Sequence, residues 1–215
     1  MKQLTTTLFA AAAMTLVAQA GPSSPVMSSG KGKQVMPPPP AGCPCNIAYN
    51  YVQAFYGHGE FSNSEVSSSD GVNFQASYSP VEHFFLTAGG GWDHVNASFG
   101  DFNDYTLHAG AGAWIPLAPC IHLGVEAGAA YDATTGGVEN FGDGDFSFYG
   151  KPHVRFCSGV VEGKVGVQFT TADVDTVWMI QTELILKVLG PADLAVGFDW
   201  NDDVQYYNAG IRFRF

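Results

Sequence analysis

Basic residues are scarce in this chain, nine Lys and Arg against twenty Asp and Glu, and no segment gathers them into a stripe. Nucleic acid is excluded as a partner on that ground, because binding phosphates needs clustered Lys or Arg. Long apolar runs are missing too. Residues 8–17 (LFAAAAMTLV) fall short of the roughly 20 residues that a membrane helix requires, and no later segment reaches that length without a charge or polar break. Helical periodicity is almost absent. What the chain has in quantity is glycine (26 residues), aromatics (13%) and short segments that alternate apolar with polar.

The first segment reads as an export signal: Lys2, the apolar run, then Ala18-Gln19-Ala20 as an A-x-A cleavage site. Cleavage there would take the formal charge from −11 to −12, since Lys2 is the one charge removed. Residues 21–45 are rich in Gly, Ser and Pro and run through Pro37 to Pro40, a composition that cannot bury a core and that reads as a periplasmic tether. Ala41-Gly42-Cys43 resembles the end of a lipoprotein cleavage site, but no apolar run precedes it.

Residues 46–215 form one domain of period-2 segments separated by turn residues. Ten strands are predicted, over 46–59, 71–79, 83–95, 104–115, 120–132, 145–157, 160–171, 176–188, 193–200 and 205–215; eight is the alternative. Tight connections at Ser79–Glu82, Pro116–Pro119, Ser158-Gly159 and Leu189–Ala192 alternate with five mostly longer, polar ones. One face of each strand is apolar. Trp92, Tyr105, Tyr131, Trp178 and Trp200 fall near the loop ends of that face, and Tyr78, Phe84, Phe156, Phe213 and Phe215 near the tight-turn ends. Two aromatic bands of this kind suit the two interfaces of a membrane.

The last strand carries the clearest motif. Ala209, Ile211, Phe213 and Phe215 alternate with Asn208, Gly210, Arg212 and Arg214. Asn208, Gly210, Phe213 and Phe215 match the C-terminal insertion signal of Gram-negative outer-membrane β-barrels, and the chain resembles the small OmpA/OmpX-like members of that group. The resemblance implies an all-β, antiparallel up-and-down transmembrane barrel in the outer membrane, with lipid and the barrel-assembly machinery as its partners and no cofactor.

Every Lys and Arg of the domain lies on the face opposite the apolar one: Lys151, Arg155, Lys164, Lys187, Arg212 and Arg214. Glu126, Glu162, Glu183 and Asp199 share that face. Folding the hairpins about their apparent turns sets Glu126 against Lys151, Arg155 against Glu162, and Lys164 against Glu183. Side chains fill the interior of a narrow barrel, and charges there must be paired. A lumen plugged by an ion-pair ladder is therefore expected; a wet, charge-lined pore is the alternative, with the inward cations weakly favouring anions.

Four cysteines suit an oxidising compartment. Cys120 and Cys157 would face each other and form one disulfide, leaving Cys43 and Cys45 free or bridged to another chain; alternatively both tether cysteines pair with Cys120 and Cys157. His122 and His153 lie near this pair, giving a Cys₂His₂ metal site as a less favoured reading, since Arg155 is adjacent and thiolates are oxidised there. Acids crowd the loops. Asp143-Gly-Asp145 and Asp173-Val-Asp175 offer clustered carboxylates of the kind that Ca²⁺ or Mg²⁺ prefers, without the spacing of a calcium loop. Asp93-His94 with Asp101 and Asp104 supplies an acid–His grouping for a rim enzyme, a protease or a lipid-modifying activity, but no nucleophile accompanies it. The expected function is non-enzymatic: a structural or surface-exposed barrel, with a small porin-like channel as the alternative.

Overall fold

The computed structural model describes residues 47–62, 65–136, 144–172 and 175–215. Ten strands follow one another: β1 Tyr51–Phe61, β2 Val66–Val81, β3 Phe84–Ala97, β4 Phe102–Ala118, β5 Ile121–Gly136, β6 Asp145–Ser158, β7 Val161–Ala172, β8 Asp175–Leu189, β9 Ala192–Trp200 and β10 Val204–Arg214. Each pairs antiparallel with its sequence neighbours, and β1 pairs with β10 from Tyr51↔Arg214 to Phe61↔Val204, which closes the barrel. Ten strands, not eight, is the count.

The two surfaces of the barrel wall differ as alternation requires. Val52, Phe74, Phe84, Leu107, Phe148 and Leu194 point outward and are between 44% and 67% exposed. Water would not tolerate that continuous apolar exterior, whereas lipid does. Aromatics meet near the loop ends of this surface: Trp92 lies opposite Tyr105, and Trp178 packs edge-on against Trp200 at 5.5 Å. Just beyond them the outward side chains turn polar. Asp70 accepts from Tyr56 Oη at 2.7 Å and lies 2.9 Å from His58 Nδ1. That polar rim marks where the apolar band ends.

Connections at one end of the barrel are tight. Gly159 (φ 58°) and Gly190 (φ 61°) supply the left-handed residues that two of these turns need, and His83 (φ 71°) does so in a third. The β6–β7 turn corrects the expected register. Its loop residues are Gly159 and Val160, one position later than Ser158-Gly159, so Arg155 lies opposite Lys164 and Cys157 opposite Glu162. Moving a turn centre by one residue shifts the register by two and keeps every side chain on its face.

The start of the barrel also differs from expectation. Residues 47–49 continue the alternation of β1 ahead of its paired stretch, and Asn50 accepts from the Phe215 N–H at 3.3 Å; Ile47 and Tyr49 are buried within the barrel, each 7% exposed. Alternation reports which side a residue faces, not whether its backbone has a partner.

Candidate functional site

At the tight-turn end, inward side chains from β6, β7, β8, β9 and β10 meet in the lumen. Alternation on β7 points Glu162 inward, where it is fully buried and receives three cations. Arg212 of β10 donates two parallel hydrogen bonds to it, both 3.1 Å. Lys187 Nζ of β8 stands 3.4 Å away, and Arg155 of β6 forms a short charge-assisted bond to Glu162 Oε1. Arg212 also reaches Asp193 of β9 at 3.3 Å, and Arg214 Nε lies 2.7 Å from the same carboxylate. Two acids thus bind four cations, with the planar guanidinium forks supplying the two-pronged geometry that suits carboxylates.

The segment ahead of β1 completes this floor. Arg155 Nη2 donates to the carbonyl oxygen of Ala48 at 2.7 Å, and its guanidinium lies 4.4 Å from the Tyr49 ring centroid. Tyr49 stacks on Trp114 at 5.0 Å and packs against Phe85 at 5.4 Å, while Trp114 stacks on His122 at 4.2 Å. Burial pushes the Tyr49 phenol up to about 12, against the opposing pull of Arg155. The phenol therefore stays neutral and sits 3.2 Å from His122 Nδ1. Tyr49 joins Phe85 of β3, Trp114 and His122 to Arg155, Arg155 leads to Glu162, and Glu162 to Lys187 and Arg212; Arg212 in turn meets Asp193 and lies over the ring of Tyr51 of β1 at 5.2 Å.

One layer nearer the loops, Glu126 and Lys151 face each other in register with their charged atoms 3.5 Å apart. Thr87 and Tyr149 donate to Glu126 Oε1 at 2.8 and 2.9 Å. The Tyr149 ring finds room because Gly128 lies beneath it, where a Cβ would come within 2.7 Å of Tyr149 Cζ. Lys164 and Glu183 are opposite in register, yet no ion pair joins them. Above this layer the lumen opens into a cavity of about 380 Å³.

The ladder residues expected from sequence therefore meet in two groups: Glu126 with Lys151, and Arg155, Lys187, Arg212 and Arg214 around Glu162 and Asp193. Arg155 reaches Glu162 diagonally across the shifted register. Asp193 is the floor residue that the sequence reading passed over, although it alternates in phase with Asp199 and sits opposite Arg212. Near the loops, Asp93 lines the lumen, and Asp104 pairs with it in register. With Glu126, Glu162, Glu183, Asp193 and Asp199 these make seven inward acids against six inward cations.

Alternation sets Asp93 and His94 on opposite faces of β3, with His94 opposite Asp70 in register. Asp93 faces the lumen, whereas the adjacent His94 turns to the other face and sits 3.2 Å from Asn103 Oδ1. Cys120 and Cys157 lie side by side, the Cys157 N–H donating to the Cys120 carbonyl at 2.9 Å, and neither is a free thiol. Cys43 and Cys45 lie outside the described residues, as do Asp143 and Asp173 of the two carboxylate motifs. Among the described residues no cluster of His, Cys, Asp and Glu has the arrangement of a metal site. Of the C-terminal motif, Phe213 and Phe215 point outward, 48% and 70% exposed, and Asn208 lines the lumen.

The fold is that of an outer-membrane β-barrel. It rests on the closed pairing, the apolar exterior and the charged interior. No protein-family model matches the chain, and no curated protein does. Among solved structures, Neisserial surface protein A is similar at 16% identity, covering 77% of this chain and 96% of its own, with a TM-score of 0.45. The translocator domain of the autotransporter NalP from Neisseria meningitidis is 12% identical over 77% of this chain and 88% of its own, TM-score 0.46. Outer membrane protein OprG from Pseudomonas aeruginosa is 9% identical over 78% and 96%, TM-score 0.42.

Proposed function

We propose that this chain is a non-enzymatic outer-membrane barrel with a structural or surface role, whose lumen is sealed at the periplasmic end. The tight turns and both ends of the strand array share that end, as short periplasmic turns do in such barrels. Its partners in this reading are the lipid around the apolar band and the machinery that inserts barrels, to which the outward Phe213 and Phe215 would be presented. One observation carries the proposal: Glu162 is fully buried and shared by Arg155, Lys187 and Arg212, directly against the Tyr49 segment. A conducting pore would need those groups hydrated and apart.

The test is single-channel conductance of the purified, refolded mature protein in a planar bilayer. An inserted but silent barrel is the expected result. Reproducible discrete steps would overturn the sealed floor in favour of a channel, and the acids that outweigh cations along the lumen would then make it cation-preferring.

A further inference from the structure

The cavity above the floor is lined differently from the rest of the lumen. Amide side chains ring it from five strands: Gln53 on β1, Asn73 and Gln75 on β2, Gln168 on β7, Gln181 on β8 and Asn208 on β10. An amide both donates and accepts, so a wall of them matches a ligand that also does both at many points. Two buried acceptors in this wall have no partner. Gln53 is 6% exposed, and its Nε2 donates to Gln75 Oε1 at 3.0 Å while its own Oε1 is unbonded. Glu183 Oε1 is likewise buried and unbonded. Lys164, on the wall beside it, forms no ion pair among the described residues. Gln53, Glu183 and Lys164 all belong to the wall of this one cavity, the two unbonded acceptor atoms lying buried in that wall.

We propose that this cavity is a binding site for a neutral polyhydroxylated molecule of sugar size. Hydroxyl groups accept from Lys164 and exchange both kinds of bond with the wall amides, Gln53 and Gln181 among them. The volume of about 380 Å³ lies at the small end of the roughly 300–1,000 Å³ usual for small-molecule pockets. One or two rings fit it, a polymer does not. Both signs of charge line it, Lys151 and Lys164 against Asp93, Glu183 and Asp199, so neither a polyanion nor a polycation is favoured. The site is a blind vestibule above the sealed floor and rests on that reading only for its lower boundary.

Equilibrium dialysis of the refolded mature barrel in detergent micelles against labelled glucose and maltose tests the site, with glycine and inorganic phosphate as competing probes. Saturable binding of one sugar per barrel is expected. Gln53→Leu and, separately, Gln181→Leu should each weaken it about tenfold, the loss that one unpaired buried polar contact brings. Retained resistance to heating in electrophoretic gels shows that each variant is folded. The inference is overturned by no saturable sugar binding, by binding unchanged in both variants, or by binding of glycine or phosphate in place of sugar. Conductance separates the two proposals: a silent barrel that binds no sugar refutes this site alone, whereas channel steps refute the floor.

Discussion

Replacing Glu162 by Gln removes one charge and little else, since the amide keeps the shape of the carboxylate and one of its acceptors. Three cations lose their shared partner. Asp193 would remain as the acid in contact with Arg212 and Arg214, while Arg155 and Lys187 would lose the carboxylate they share. Removing one member of a buried ion pair typically costs about 3–5 kcal/mol, because the survivor stays desolvated and unpaired. That range is the expected loss for Glu162→Gln. Against a total stability of roughly 5–15 kcal/mol for a folded domain, it is large. Two variants set the scale. Glu126→Gln disturbs one cation at 3.5 Å while the amide oxygen can keep the Thr87 and Tyr149 bonds, so a loss of about 1–3 kcal/mol is expected. Lys164→Ala breaks no ion pair and should fall within about 1 kcal/mol of wild type. Urea unfolding of the barrel refolded into phospholipid vesicles, followed by tryptophan fluorescence, reads all three. A Glu162→Gln barrel as stable as wild type, or a Lys164→Ala barrel that loses as much, would refute the shared-carboxylate floor.

Three other outcomes are expected. Tyr49→Ala removes the ring between Trp114 and Arg155 and should destabilise the barrel by about 3–5 kcal/mol, the usual cost of deleting a buried aromatic; brief conductance events should accompany it in planar bilayers, and a variant as silent and stable as wild type would dismiss the segment as a seal. Gly128→Val drives a side chain into the Tyr149 ring and should cost at least about 1–3 kcal/mol in the same urea titration, as overpacking does. Phe215→Ala, tested by following outer-membrane assembly in cells, should slow insertion while leaving the urea midpoint of the refolded barrel within about 0.5 kcal/mol of wild type, since that ring is 70% exposed and lies beyond the last strand.

The wall of this barrel was largely legible in the sequence, and its floor was not. Alternation marks the inward and outward faces residue by residue: Trp92, Tyr105 and Phe213 read outward, and Glu126, Arg155 and Glu162 inward, as the structure has them. Register depends on where a turn is centred. Ser158-Gly159 and Gly159-Val160 are both acceptable two-residue turns, and choosing between them moves Glu162 from opposite Arg155 to opposite Cys157. The Tyr49 segment was harder still. Ile47, Tyr49 and Tyr51 alternate like any strand, and nothing local tells a paired backbone from one that crosses a lumen. Asp193 was visible in phase with Asp199, but its worth lies in Arg212 and Arg214, which register alone brings to it.

The floor joins the two ends of the chain's fold. Arg212 and Arg214 belong to the last strand and Tyr51 to the first, and Arg212 lies over the Tyr51 ring across the β1–β10 seam. Of the four cations around Glu162 and Asp193, two come from that last strand and two, Arg155 and Lys187, from β6 and β8. The seam that closes the wall and the floor that crosses the lumen thus share residues, so a change that loosens the β1–β10 pairing loosens the floor with it.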